Sequence, residues 1–305
     1  MAGVLFGSQF IPSKYCPGFR SGAYNISMAI GIFLGSVVAL PLLGVSGISA
    51  SLGALAFIGG MVWVAGNYLL VFAVANAGMA RSFVIVNFSA VFSFLGGVAF
   101  LGELSEVSAL RLGLIASGIG LVLAGAFLVG MTTTGTKEQG ARSKGQGTDG
   151  ARMRRGLGAV FVATIFFSIY NVMIAHAINR AGAPAGPTFA FVAPGAVAGA
   201  ALAALFARGG ELQAWRAAPG KWHLLALSQG LVWATAMVCI MFGWMGTGIA
   251  MGTPIQVGVQ TLVSSLWGIV MFGELKGLEK AGRGYARFGA GAALTVLGIG
   301  LIALS

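Results

Sequence analysis

Residues 51–76 read SLGALAFIGGMVWVAGNYLLVFAVAN, a run without one charged side chain. The hydrocarbon core of a bilayer takes about 20 apolar residues of helix, so this run can cross it with some tilt. Working outward, with clusters of charge, Pro and Gly as boundaries, further runs of the same kind appear. Ten lie at roughly 2–19, 22–43, 51–76, 79–102, 108–131, 156–180, 185–207, 222–245, 248–273 and 285–304. The first is the weakest, because the residues before Lys14 make only about 20 Å of helix. Either that helix continues past Lys14 or it begins upstream. The N-terminus lacks the basic leader of a cleavable signal peptide and reads as the start of a helix.

Composition agrees with a chain that faces lipid. Hydrophobic residues make up 57% of the 305 positions, charged residues 8%, and the mean hydropathy is +0.92. A soluble domain carries roughly a quarter charged residues, and this chain has too few polar groups to solvate its exterior. Its 50 glycines suit a bilayer, where small residues let helix backbones approach closely. The net charge of +11 does not point to nucleic acid, because the charges sit at segment ends and in one central stretch, with no basic face on a soluble domain. Cys16 and Cys239 lie in or beside separate apolar segments, with neither metal-ligand spacing nor a disulfide framework.

The stretch 132–155, rich in Gly, Thr, Lys and Arg, reads as a flexible basic linker between a first five-helix repeat, 1–131, and a second, 156–305. The halves resemble each other. Gly60-x-x-Trp63, then Gly78 fifteen residues on, then a helix ending in Gly102-Glu103-Leu104, is echoed by Gly230-x-x-Trp233, Gly248 and Gly273-Glu274-Leu275. Gly31-x-x-x-Gly35 is echoed by Gly195-x-x-x-Gly199. Five is odd, so consecutive repeats enter the membrane from opposite sides. The expected fold class is therefore all-α, a polytopic membrane protein of about ten transmembrane helices in two inverted five-helix repeats, an architecture that places a site at the midplane.

Of the 18 Lys and Arg, only Arg111 and Arg180 fall in the even-numbered connections. Positive charge favours the cytoplasm, so the linker is expected there, both termini outside, and the protein in the cell membrane.

Polar side chains within spans are costly and face a cavity or another helix. In the ninth segment Thr253, Gln256, Gln260 and Ser264 share one face, and Pro254 beside them is expected to break the helix locally. Ser89 and Ser93 of the fourth segment match Gln260 and Ser264. Ser168 and Asn171 share a face of the sixth, with Thr164. Trp63 and Asn67 share a face of the third, an aromatic plate beside an amide that suits a sugar and an aromatic amine almost equally. Interfacial belt or simple packing is the competing account of Trp63 and Trp233. In the first segment Gln9 and Ser13 share a face, with Lys14 beside them at the interface or as a gate. These make up the expected substrate-binding set. Lys14, Glu103 and Glu274 are the expected gating or interface residues, with pairing to nearby Lys or Arg as the expectation for the two glutamates. Interhelical hydrogen bonding is the alternative for each polar stripe.

The run Phe6-Gly-Ser-Gln-Phe-Ile-Pro-Ser-Lys14 and the run Gly59-Gly-Met-Val-Trp-Val-Ala-Gly-Asn67 resemble the drug/metabolite transporter superfamily. The nearest likeness is to its glucose/ribose uptake porters, rhamnose transporters and transmembrane protein 144. Pro254-Ile-Gln-Val-Gly-Val-Gln260 and the Gly-Glu ends at Glu103 and Glu274 fit the same group. The resemblance implies ten helices around a central cavity and a sugar-like substrate. It also implies cytoplasmic termini, against which the charge count stands. The counterpart of Asn67 in the second half is Met237, a departure from strict symmetry.

No Asp or Glu falls mid-span, and there is no Walker loop or metal cluster. An ATP-driven pump and an enzyme are excluded as expectations, and no cofactor or metal is expected. The expected activity is secondary transport or facilitated passage of a small polar solute, a sugar first. Export of amino acids or drug-like metabolites is the alternative, and a non-transporting scaffold or accessory protein is the alternative of another class. The expected partners are a small-molecule substrate and the lipid bilayer, with no nucleic acid and with a homodimer as an open option.

Overall fold

The computed structural model describes residues 1–16, 18–43, 47–77, 79–131, 149–206, 210–272 and 281–305. They form helices: α1 (Ala2–Ser8), α2 (Ile11–Lys14), α3 (Ser21–Leu43), α4 (Ala50–Ala77), α5 (Met79–Val86), α6 (Ser89–Leu101), α7 (Ala109–Gly130), α8 (Asp149–Ala175), α9 (Ala185–Phe206), α10 (Glu211–Ala217), α11 (Gly220–Val270) and α12 (Ala281–Leu304). Among the described residues eight helices are long and apolar enough to cross a membrane. The chain is a multi-pass helical membrane protein. Large apolar side chains such as Leu110, Leu205, Phe206 and Leu297 stand on its outside, where lipid solvates them at no cost.

Three departures from ten plain segments stand out. The first segment is broken: α1 ends at Gln9, and α2 restarts with Pro12 in its first turn, where the missing N–H costs nothing. The eighth and ninth segments form one 51-residue helix, α11, with a single non-helical residue, Gly248. At 1.5 Å per residue α11 would span about 75 Å, more than twice a bilayer core of about 30 Å, so the break at Gly248 is what lets it fit. Gly248 has φ 70° and ψ 171°, backbone that favours glycine. The break lies here rather than at Pro254, which sits buried inside the continuing helix. The fourth segment likewise turns at Asn87 and Phe88, between α5 and α6.

Glycines set the crossings. A Cβ on Gly60 of α4 would strike the Val192 carbonyl and lie 2.8 Å from the Ala196 nitrogen of α9; one on Gly195 would strike the Phe57 carbonyl of α4. In the same way, a Cβ on Gly230 of α11 would strike the Met28 carbonyl and lie 2.8 Å from the Ile32 nitrogen of α3, and one on Gly31 would strike the Leu227 carbonyl. Helices α7 and α12 meet through Gly118 against Gly298 and Gly125 against Gly291. The main core, which includes Met28, Ile32, Phe189, Trp233 and Trp244, joins α1, α3, α4, α9 and α11 into one packed unit.

Candidate functional site

The close crossings at Gly60 and Gly230 bring together the tryptophans one turn further on. The indoles of Trp63 and Trp233 lie 4.2 Å apart between ring centroids, tilted by 43°. Phe6 meets Trp233 edge-on at 6.5 Å and Phe189 lies 6.2 Å away. Both tryptophans are buried, at 7% and 2% exposure, so they pack at the centre of the protein and form no interfacial belt.

One turn along α4, Asn67 is buried, and its Nδ2 donates to Oδ1 of Asn25 on α3. Beside Asn25, the Tyr24 hydroxyl donates to Oε1 of Gln229 on α11, whose Nε2 points at the Met28 sulfur at 3.5 Å. Gln9 is buried as well, and its Oε1 has no partner. The Nδ2 of Asn25 is likewise buried without a partner, as are the Tyr170 hydroxyl, Trp244 Nε1 and Thr253 Oγ1. Native proteins satisfy most such groups, so each orphan marks a position of interest.

The ninth-segment stripe is present but divided. Gln256 Nε2 donates to Gln260 Oε1 one turn on, and both side chains are half-buried. Ser264 Oγ donates to the Thr261 carbonyl at 3.1 Å. Thr253 is buried with its hydroxyl unpartnered. Asn87, at the turn of the fourth segment, donates to Thr261 Oγ1 at 3.1 Å and so ties the two halves together. The serines of α6 meet α8: Asn171 Nδ2 donates to Ser93 Oγ at 3.0 Å, and Ser168 Oγ reaches the Ser89 carbonyl at 3.5 Å. These four residues meet at one α6–α8 contact, where Ser168 Oγ also donates to the Thr164 carbonyl of its own helix at 2.8 Å.

In the first segment Ser13 bonds back to the Phe10 carbonyl at 2.7 Å, and the Lys14 ammonium lies 5.6 Å from the centre of the Phe272 ring. Glu103 lies past the left-handed end of α6 at Gly102, and its carboxylate accepts from the N–H groups of Ile249 at 3.1 Å and Ala250 at 2.8 Å. It thus caps the helix that restarts after Gly248, where the macrodipole favours an anion. A Cβ on Gly248 would lie 2.6 Å from that carboxyl carbon. An open cavity of about 340 Å³ borders Glu103, Asn179, Arg180, Trp244 and Gly248. Glu274 lies outside the described residues.

Several residues that the sequence reading passed over hold the other end of the bundle. Glu211 of α10 is buried, accepts from the Ala23 N–H at 3.2 Å and pairs with Arg20 Nε at 3.3 Å. Ser27 Oγ accepts from Trp215 Nε1 at 2.9 Å and lies 2.8 Å from His223 Nδ1, beside a second open cavity of about 350 Å³ that Arg216 also borders. Asn25 and Gln229 were open to the rule that polar side chains in spans are rarely idle, since both fall inside predicted spans. The role of Glu211 had no such signal, because its backbone partner Ala23 lies 188 positions away. Among the described residues no group of three or more His, Cys, Asp or Glu stands together.

A family model described as Sugar transport protein matches residues 19–132, just over a third of the chain. The match supports a relationship to a sugar-transporting membrane family. No curated protein matches the chain. Among solved structures, one crystal structure of a protein aligns over 97% of this chain and 94% of its own, with TM-score 0.63 and 17% identity. That likeness is one of fold.

Proposed function

We propose that the chain is a secondary transporter or facilitator of a small uncharged polar solute, of the sugar or polyol class. It works by rocking one five-helix half against the other around a midplane site. The observation that carries the architecture is the matched pair of helix crossings. Exchanging Gly60 with Gly230, and Gly195 with Gly31, turns the α4–α9 contacts into the α11–α3 contacts carbonyl for carbonyl and nitrogen for nitrogen. The other segments follow the same exchange. Gly3 and Gly7 of α1 lie against the carbonyls of Gln256 and Gln260, while Thr164 and Ser168 of α8 reach those of Ile85 and Ser89. These paired contacts support a reading as two inverted repeats, with α11 taken as two spans and α1–α2 as one, ten in all.

The family match at 19–132 favours a sugar, and so does the chemistry at the centre: indole faces beside neutral amides, with no acid at mid-span. A transporter of organic cations would need a carboxylate near the ring faces. Substrate contact is assigned to Trp63, Asn67, Gln9, Gln256 and Gln260, with the α6–α8 serines and Asn171 as the matching wall of the other half. The linker lies in the cytoplasm and the termini outside, as the distribution of Lys and Arg favours.

The test is a thermal-shift screen of the purified protein against sugars, polyols, amino acids and amines, because a ligand that binds the folded state raises its stability by mass action. Stabilisation by a sugar or polyol alone supports the reading. Stabilisation by amino acids or amines alone replaces it with the exporter.

A further inference from the structure

We infer that Asn25, with Gln9 and Asn67, forms a recognition site for paired hydroxyl groups of an uncharged sugar or polyol. This deepens the transport reading and rests on it. Asn25 lies in the second segment, which contributed nothing to the substrate-binding set expected from the sequence.

Hydrogen-bond accounting singles the residue out. A side-chain amide offers two donors and one acceptor site of two lone pairs. Asn25 accepts from Asn67, yet its own NH2 is buried with no partner. Gln9 is the complement, with a buried carbonyl oxygen and no donor to meet it. One orphan donor and one orphan acceptor remain, on side chains each 5% exposed.

Their placement relative to the rings is the same. Phe6 and Trp63 both join the Trp233 cluster. Gln9 stands one turn after Phe6, with its N–H still bonded helically to the Leu5 carbonyl at 3.0 Å, and Asn67 stands one turn after Trp63. As the first and third segments, α1 and α4 run in the same direction, so both amides step to the same side of the aromatic cluster. Asn25 joins them through its bond to Asn67.

The chemistry of the neighbourhood selects the ligand class. A hydroxyl group both donates and accepts, so two adjacent hydroxyls can serve the free amide N–H and the free carbonyl at once. The surrounding polar groups, Tyr24 and Gln229, are neutral and bonded to each other. Arg20, just before α3, and Glu211 of α10 are bonded to one another and, through Glu211, to the Ala23 N–H.

The test uses the full-length protein in nanodiscs. Binding of D-glucose, D-ribose and sorbitol, with leucine and choline for comparison, is read by tryptophan fluorescence and melting temperature. Gln9→Met removes the orphan acceptor at nearly constant shape. We expect about tenfold weaker sugar binding with the ligand-free melting temperature unchanged or raised. The double variant Asn25→Leu/Asn67→Leu removes both ends of one hydrogen bond, and should abolish sugar binding in a protein that still folds. Deleting one ligand hydroxyl should cost the wild type about tenfold and Gln9→Met little. Wild-type sugar affinity in both stable variants overturns this site and leaves the transport reading standing. Binding of leucine or choline without any sugar or polyol overturns both, and a wild type silent to all five probes overturns the site.

Discussion

Trp63 and Trp233 occupy matching positions in the two halves of the sequence, three residues after a glycine in each, and in the folded protein their rings touch, with centroids 4.2 Å apart. The contact follows from the crossings at Gly60 and Gly230, where helix backbones meet with no room for a Cβ. The proposed repeat, the close backbone approach and the aromatic centre thus meet at the same two glycines.

That coupling predicts paired sensitivity. Gly60→Ala and Gly230→Ala each force a methyl group against a backbone carbonyl in a helix crossing that cannot yield cheaply. Each should destabilise the protein by about 1–3 kcal/mol, as overpacked cores do. Gly113→Ala and Gly300→Ala, whose added Cβ meets nothing within 4 Å, should leave the melting temperature unchanged or raise it, since alanine suits a helix interior better than glycine.

Glu103 makes the next prediction. Its carboxylate satisfies two N–H groups at the restart of α11, so Glu103→Ala should cost about 1–2 kcal/mol, the usual scale for a lost helix cap. Glu103→Gln keeps an acceptor oxygen and should fall between. Melting curves of the two variants check this, and equal loss in both would show that the charge rather than the cap matters.

The segments themselves were legible in the sequence because lipid imposes a simple rule: long uncharged runs with charge at their ends. The glycine motifs were legible for a similar reason, since close helix approach admits few residues. What stayed hidden was the partner of each polar side chain. Asn67 was read as a candidate from its place beside Trp63, but its bond to Asn25 depends on how α3 and α4 rotate against each other. The expected break at Pro254 shows the same limit. Proline cannot take a positive φ, whereas Gly248, six positions before it, adopts φ 70° and leaves the following N–H groups to Glu103, so the break lies at the glycine.

The glutamine pair of α11 separates a substrate wall from a helix contact. If Gln256 and Gln260 bind substrate, Ala at either position should weaken binding by about 1–2 kcal/mol, roughly tenfold, with little change in melting. Val257→Ala and Val259→Ala, which remove packing atoms, should lower stability and spare affinity. Unchanged affinity in stable Gln256→Ala and Gln260→Ala proteins would remove this face from the site.

The orientation rests on charge, and labelling tests it. Gly150 lies exposed at the start of α8. In a background without Cys16 and Cys239, a cysteine at position 150 should resist a membrane-impermeant thiol reagent in intact cells and react after permeabilisation. Reaction in intact cells would invert the topology.

Counterflow in proteoliposomes tests the central claim most directly. Vesicles holding the protein, preloaded with unlabelled D-glucose or D-ribose and diluted at equal pH into the labelled sugar, should accumulate label transiently above protein-free vesicles. Excess sugar, but not amino acids, should compete. Because no acid lies at mid-span, an imposed pH gradient should not be required. Vesicles that show no sugar counterflow yet exchange an amino acid or amine, or that move sugar only when a proton gradient is applied, would contradict the account.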